Sequence, residues 1–203
     1  MQKIEFDKPT AVLASGSMQR AGKLKDAGIP FVQILSPVDD TDINYDFPHT
    51  NITKRQEKQY AKTMALAKLK PFIGNVKNGA VITADTTVLC NGRILEKPQS
   101  KQEARENQEF ISGNNCYVYT AITIYYNGRT ICKVLTFKVK IAPLPPHIID
   151  KIVEEPEIFN NAGYWRGGAL GPYATSKGKF ATGDDAFVYT IAKMLKKLKV
   201  IEK

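Results

Sequence analysis

Ser15, Ser17, Arg20, Lys68, Asp85 and Lys97, with Asp40 in an acidic stretch, are the side chains of this sequence whose types could act together. Hydroxyls, cations and carboxylates in such a set suit metal-assisted attack of water on a phosphoanhydride. They equally suit a phosphate-binding module without turnover. Ser15-Gly16-Ser17 follows an apolar run and precedes a helical pattern. A strand that breaks into a helix at that point aims free backbone N–H groups and a helix dipole at one spot, which binds phosphate. Arg20, one turn further, adds a bidentate grip, although a plain helix cap at Ser17 reads as well. Asp85 sits inside VITADTTVL on the face shared by Val81, Thr83, Thr87 and Leu89. A carboxylate in an apolar strand is costly unless it is paired or bound to metal. It is therefore either a structural paired acid or a general base or metal ligand. Asp39 and Asp40 suit Mg²⁺, which takes one or two carboxylates plus substrate phosphates, or simply a turn. The two histidines, His49 and His147, fall at a polar loop and a helix start, so the chemistry rests on carboxylates, lysines, hydroxyls and a metal ion.

The elements that must position these groups are legible from pattern. Thr10–Ala14 reads as a buried strand, and Met18 to about Ala27 as a helix with Ser17 at its N-cap and Gly28 just past its end. Phe31–Leu35 reads as a second strand, leading into the acidic loop. Asn51 or Thr53 caps a long helix that runs to about Leu69 and is closed by Pro71. Its Ala61, Ala65 and Lys68 form one stripe, beside Tyr60, Met64 and Ala67. Ala80–Cys90 alternates as a strand, turns at Asn91-Gly92 and returns through Arg93–Leu95, bringing Lys97 back toward Asp85. Ser100-x-x-Glu103 reads as a capping box for a helix that ends at Ser112-Gly113. Tyr117–Tyr126 and Cys132–Ile141 form a second hairpin around Asn127-Gly128. A short helix spans His147–Glu155. Residues 160–183 form a long small-residue loop, and a last helix starts near Asp184-Asp185 and buries Val188, Ile191, Leu195 and Leu198. Hairpins mixed with strand–helix units predict an α/β fold with a mixed twisted sheet and flanking helices.

The chain has 203 residues, enough for one domain with two lobes around a cleft. Apolar residues make up 43% and charged residues 24%, which argues against a disordered, collagen-like or coiled-coil chain. No run is long enough for a transmembrane helix, and the first residues lack the apolar stretch of a signal peptide. Cys90, Cys116 and Cys132 form no metal or disulfide pattern, so buried reduced thiols and a cytoplasmic location are expected. The net charge of +9 implies an anionic ligand. Residues 52–70 carry a net +5 and the last eleven residues a net +4, so two segments hold the entire excess. A solvated face accounts for them. A nucleic-acid surface is the alternative, and no recognisable nucleic-acid-binding motif accompanies it.

In order along the chain, these motifs resemble the Maf-like nucleoside triphosphate pyrophosphatases. LASGSMQR (13–20) is similar to LASxSPRR, and VDDT (38–41) to the family's VDE loop. YAKTMALAKLK (60–70) resembles the helix ending LAxxKA, and ADTTVLCNGRILEKP (84–98) resembles ADTVVxxxGxILxKP. Glu103-Ala104 and Ser112-Gly113 follow at the family's spacing. ISGNNCYVYTAITIYYNG and NAGYWRGGALG…GDD are similar to members that act on 7-methyl-GTP. Members acting on dTTP and UTP carry a second arginine where this chain has Gln19.

The resemblance implies hydrolysis of a nucleoside triphosphate to monophosphate and pyrophosphate with Mg²⁺ or Mn²⁺, in a single two-lobed domain over residues 1–203. It also implies a frequent homodimer, with no membrane and no stable nucleic-acid partner. It assigns Ser15, Ser17, Arg20, Lys68 and Lys97 to the phosphates, counting both lysines in the catalytic set. Asp85 would be the base or metal-water ligand, and Asp40, one methylene shorter than the family's Glu, would help hold the metal. The chain departs from the pattern at Met18 (the family's Pro), at Gly168 (a Gln or Glu in the family) and in lacking a GLPL stretch. A catalytically impaired nucleotide-binding protein is the alternative these departures suggest.

Overall fold

Strand β1 (Ile4–Leu13) lies between two parallel neighbours, β2 (Val32–Gln33) and β3 (Val76–Cys90). On the other side of β3 the sheet turns antiparallel through β5 (Asn115–Tyr126), β6 (Arg129–Ile141) and β7 (Ala174–Ser176). The short β4 (Arg93–Leu95) folds back antiparallel onto β3. The sheet order is thus β2-β1-β3-β5-β6-β7, with β4 attached to β3. This computed structural model describes residues 2–38, 43, 50–161, 168–176 and 183–201. The acidic-loop residues Asp39, Asp40 and Asp42, His49, most of the NAGYWRGG run and the side chain of Asp184 lie outside the described residues.

Helices α1 (Met18–Asp26), α2 (Lys54–Leu69), α3 (Lys101–Ile111), α4 (Pro146–Glu154) and α5 (Gly183–Lys197) cover the sheet. Side chains alternate between faces along a strand, and β3 uses both. Its Ala80, Ile82 and Ala84 pack with Ile122 and Ile124 of β5 against Ala21 and Leu24 of α1 and Phe187, Ile191 and Leu195 of α5. Further along the same face, Val88 and Cys90 join Cys116 and Val139 in a second core under α3 and α4. Thr83, Asp85, Thr87 and Leu89 point to the opposite face, where α2 lies with Ala61 and Ala65 against Leu89, Tyr119 and Ala121. The two helix pairs on the first face meet β3 on either side of its middle, and a cleft opens between them.

Local chemistry accounts for most of the boundaries. The Ser17 hydroxyl accepts from the Arg20 amide, and Gly28 takes the left-handed backbone that ends α1. Thr53, not Asn51, caps α2, forming a reciprocal capping box with Gln56. Asn91-Gly92 and Asn127-Gly128 both take positive φ, as the expected two-residue turns require. At α3 the box is only half made. The Ser100 hydroxyl accepts from the Glu103 amide, but the Glu103 carboxylate accepts from the Gln99 amide instead of the cap's own.

The strands differ more from expectation. β1 begins at Ile4, and β3 at Val76, because these ends pair with each other in parallel around an irregularity between Glu5 and Thr10. The second strand shrinks to Val32–Gln33. Within the expected small-residue loop, Pro156–Asn160 and Gly168–Tyr173 form 3₁₀ turns and Ala174–Ser176 joins β6. All three cysteines are free, but Cys132 is only partly buried where burial was expected. Cys90 and Cys116 sit directly opposite each other. Hydrogen bonding to Cys90, then burial, pushes the Cys116 thiol well above the ordinary thiol range.

Candidate active site

The site begins with a gap in one edge of β3. On that edge β1 pairs up to Ile82, and the Ala14 amide still donates to the Ile82 carbonyl at 2.8 Å. β4 takes up the same edge only from Val88. Between them, among the described residues, no strand pairs with the edge of residues 83–87. The chain of β1 leaves the sheet here as Ser15-Gly16-Ser17, so the loop faces the open edge. Ligands of open α/β sheets collect at this position, beyond the carboxyl ends of parallel strands.

Arg20 closes part of the gap. Its guanidinium donates to the Ala84 carbonyl at 2.8 Å, to Thr86 Oγ1 at 3.2 Å and more weakly to Ser15 Oγ at 3.4 Å. Ser15 Oγ also accepts from the Ser17 amide at 3.2 Å. Gln33 donates to the Ser15 carbonyl at 2.8 Å, tying β2 to the loop. The loop is therefore rigid and its cation pre-set. Ser17 is the helix cap that the sequence suggests: its oxygen accepts from the Arg20 amide at 3.3 Å, and its hydroxyl can still donate.

Lys68 and Asp85 meet across α2 and β3. Lys68 Nζ lies 2.6 Å from Asp85 Oδ1, with the side chains only 15% and 10% exposed. Thr83 braces this contact by donating to the Ala65 carbonyl at 2.7 Å, which locks the last turns of α2 to the strand. Ala121 stands opposite Asp85 on β5, and its small side chain leaves the carboxylate room. Asp85 is thus a paired acid, one of the two readings its place in the strand allows.

A cavity of about 650 Å³ unites most of the set. That volume lies within the usual range for small-molecule sites. Ser15, Ser17, Arg20, Lys68 and Lys97 all line it, with Ala84 of β3. Lys97 arrives after β4, as the hairpin predicted. Asp85 touches the cavity through Lys68. Asp40 lies outside the described residues.

Three groups escaped the sequence reading. Glu157 and Asn161 line the cavity from the α4 side, placed by the 3₁₀ turn at Pro156–Asn160 and by donation of Asn161 to the Glu157 carbonyl at 2.7 Å. Glu57, in the first turn of α2, is fully buried, and neither of its carboxyl oxygens makes a hydrogen bond of good geometry among the described residues. Burial above all, with the nearby charge of Asp85 adding and the neighbouring Thr87 hydroxyl opposing, pushes its carboxyl up to about 7. A signal for Glu57 existed: it lies one turn before Ala61 on the stripe that continues to Ala65.

Five cationic or hydroxyl groups around one cavity, with a carboxylate held at its edge, can bind a polyphosphate and direct water at it. The comparisons with known proteins agree. Residues 10–171 match the family described as Maf-like protein. A protein named dTTP/UTP pyrophosphatase from Bacillus anthracis (strain CDC 684 / NRRL 3495) is 33% identical over 152 residues, 75% of this chain and 75% of that protein. Proteins of the same name from Bacillus cereus (strain AH820) and Bacillus thuringiensis subsp. konkukian (strain 97-27) are 32% identical over 152 residues, with the same coverage.

Proposed function

This chain belongs to the Maf-like protein family, and from that premise we propose that it is a nucleoside triphosphate pyrophosphatase. The reaction joins water to the α-phosphorus and releases pyrophosphate, leaving a nucleoside monophosphate. One observation carries this reading: a single cavity at the open edge of β3 is lined by Arg20, held on the Ala84 carbonyl, by Lys97 and by Lys68, which pairs with Asp85.

The residues divide the work by chemistry. Arg20, Lys97 and the Ser15–Ser17 loop hold the phosphates and balance their charge. Lys68 fixes the direction of Asp85. Asp85 takes a proton from the attacking water as the water oxygen bonds the α-phosphorus. The bond from that phosphorus to the bridging oxygen breaks, and pyrophosphate leaves with the electron pair. A divalent cation such as Mg²⁺ or Mn²⁺ fits the hard oxygen of Asp85, which would hold it, with Asp40 as a second ligand. Among the described residues no group of three or more ligating His, Cys, Asp or Glu side chains exists, so such an ion would take the rest of its ligands from substrate phosphates and water. Once bound, the ion neutralises charge on the leaving pyrophosphate.

The preferred base is the finer part of the proposal. The relatives named above support dTTP and UTP, whereas a preference for 7-methyl-GTP rests on Gln19 and on the resemblance of ISGNNCYVYTAITIYYNG and NAGYWRGGALG…GDD. A screen of pyrophosphate release from dTTP, UTP, 7-methyl-GTP and other triphosphates, with Mg²⁺ or Mn²⁺, tests the activity. Release from at least one, abolished in Asp85→Asn, is the expected result. No release above that variant from any of them refutes it.

A second reading, nucleotide binding without turnover, draws on Gly168. Its φ is +58°, and a Cβ there would lie 2.0 Å from a Glu155 carboxylate oxygen. The carboxylate instead accepts from the Ala169 amide at 2.6 Å. Where the family resemblance places a Gln or Glu, this chain therefore has no side chain at all. Calorimetry that detects nucleotide binding with no heat of hydrolysis selects this second reading.

A further inference from the structure

The cavity that holds the cations also has an apolar lip. Met18 is 79% exposed and Leu35 66% exposed, and both line it. Side chains this exposed bury little apolar area when the chain folds. Both are nonetheless held in place by their backbone. Met18 is the first residue of α1, directly after the Ser17 cap. Leu35 follows β2, whose path is fixed by the Ile34 amide donating to the Leu13 carbonyl at 3.0 Å and by Gln33 on the Ser15 carbonyl. Its Cδ2 lies 3.5 Å from where a Cβ of Gly16 would sit, so the side chain stands over the middle of the phosphate-binding loop.

We infer that Met18 and Leu35 form the seat of the nucleobase, an inference that rests on the pyrophosphatase reading. The ligand of that reading brings two chemistries into one cavity, an anionic tail and a flat apolar ring, and the lining offers cations for the first and aliphatic side chains for the second. Arg20, Lys68 and Lys97 fix the polyphosphate end. The carboxylate of Glu157, which also lines the cavity, disfavours phosphate beside it. The ring then lies across Met18 and Leu35. A thioether and an isobutyl group cover a ring face by area and polarisability and make no demand on its hydrogen-bonding edge. Such a seat distinguishes a nucleotide from bare polyphosphate while discriminating weakly between bases.

The test compares inorganic tripolyphosphate with a nucleoside triphosphate on the same protein. Competitive inhibition constants for tripolyphosphate and KM for the best nucleotide are measured for the wild type, Met18→Ser, Leu35→Ser and the double variant. Both side chains are exposed, so the variants fold, and circular dichroism melting checks this. The double variant should raise the nucleotide KM about tenfold, the loss expected for a substantial part of an apolar contact. Its tripolyphosphate inhibition constant should stay within about twofold of the wild type. An unchanged nucleotide KM overturns the seat, and so does an equal weakening of both ligands, which would make the lip part of the phosphate loop. Failure of the underlying reading looks different: the wild type itself would hydrolyse no nucleotide and bind no tripolyphosphate, which overturns both.

Discussion

Asp85 and Lys68 depend on each other for solubility inside the protein. Breaking a mostly buried pair leaves one charge without its counter-charge, at a cost of about 3 kcal/mol or more. Lys68→Met should lower the unfolding free energy by that order in urea titrations, and the double variant Lys68→Met with Asp85→Asn should recover much of the loss. Glu57 gives a separate, pH-dependent signature. Its carboxyl is moved from an ordinary 4.5 up to about 7, chiefly by burial. Between those values the folded protein keeps a proton that the unfolded chain has released, so stability falls as pH rises through this window. The contribution is about 3 kcal/mol, fully lost above pH 7. Glu57→Gln keeps the shape and removes the titration. Its unfolding free energy should exceed that of the wild type at pH 8 and approach it near pH 4.5, as read from urea midpoints across pH.

At the scale of elements, α2 is the beam that carries Lys68 to β3. Its N-terminus is held by the Thr53–Gln56 capping box, about four turns from Lys68. Thr53→Ala should cost about 1 kcal/mol of stability and leave kcat unchanged, because Thr83 anchors the catalytic end independently through the Ala65 carbonyl. A matched fall in kcat would show that the helix moves as one rigid rod. Elements set by their own neighbours in the chain are legible in the residues alone: the Ser17 cap, the two Asn-Gly turns and the stripe of Ala61, Ala65 and Lys68. So are Ser15, Ser17, Arg20, Lys68, Asp85 and Lys97 as one set, because strand alternation and turn chemistry bring them together. What depends on pairing between distant segments is not legible there. The three residues of β7 have no strand pattern of their own and exist through Val139–Ile141. The gap in β3 arises where β1 stops and β4 starts, and neither endpoint is written in β3 itself. Glu57 reads as one acid among basic helix residues until Thr87 and Tyr119 are seen to face it.

For the whole molecule, the +9 charge lies mostly away from the cavity. Among the described residues, of the basic side chains in the two charged segments only Lys68 lines the cavity. Among the described residues no helix is long and apolar enough to cross a membrane. Duplex and single-stranded oligonucleotides should show no mobility shift at about 50 mM salt, where a phosphate-tracking surface binds most strongly; a salt-sensitive shift would mean the lysine-rich segments form a docking face. The reaction proposed for this chain is hydrolysis between the α- and β-phosphates, directed by Asp85. Turnover of the best nucleotide in ¹⁸O-labelled water tests it most directly, with both products resolved by mass. The account predicts one label in the nucleoside monophosphate, none in pyrophosphate, and a rate about 10²–10⁴-fold lower in Asp85→Asn. Label in pyrophosphate or inorganic phosphate, or an Asp85→Asn rate equal to that of the wild type, would contradict it.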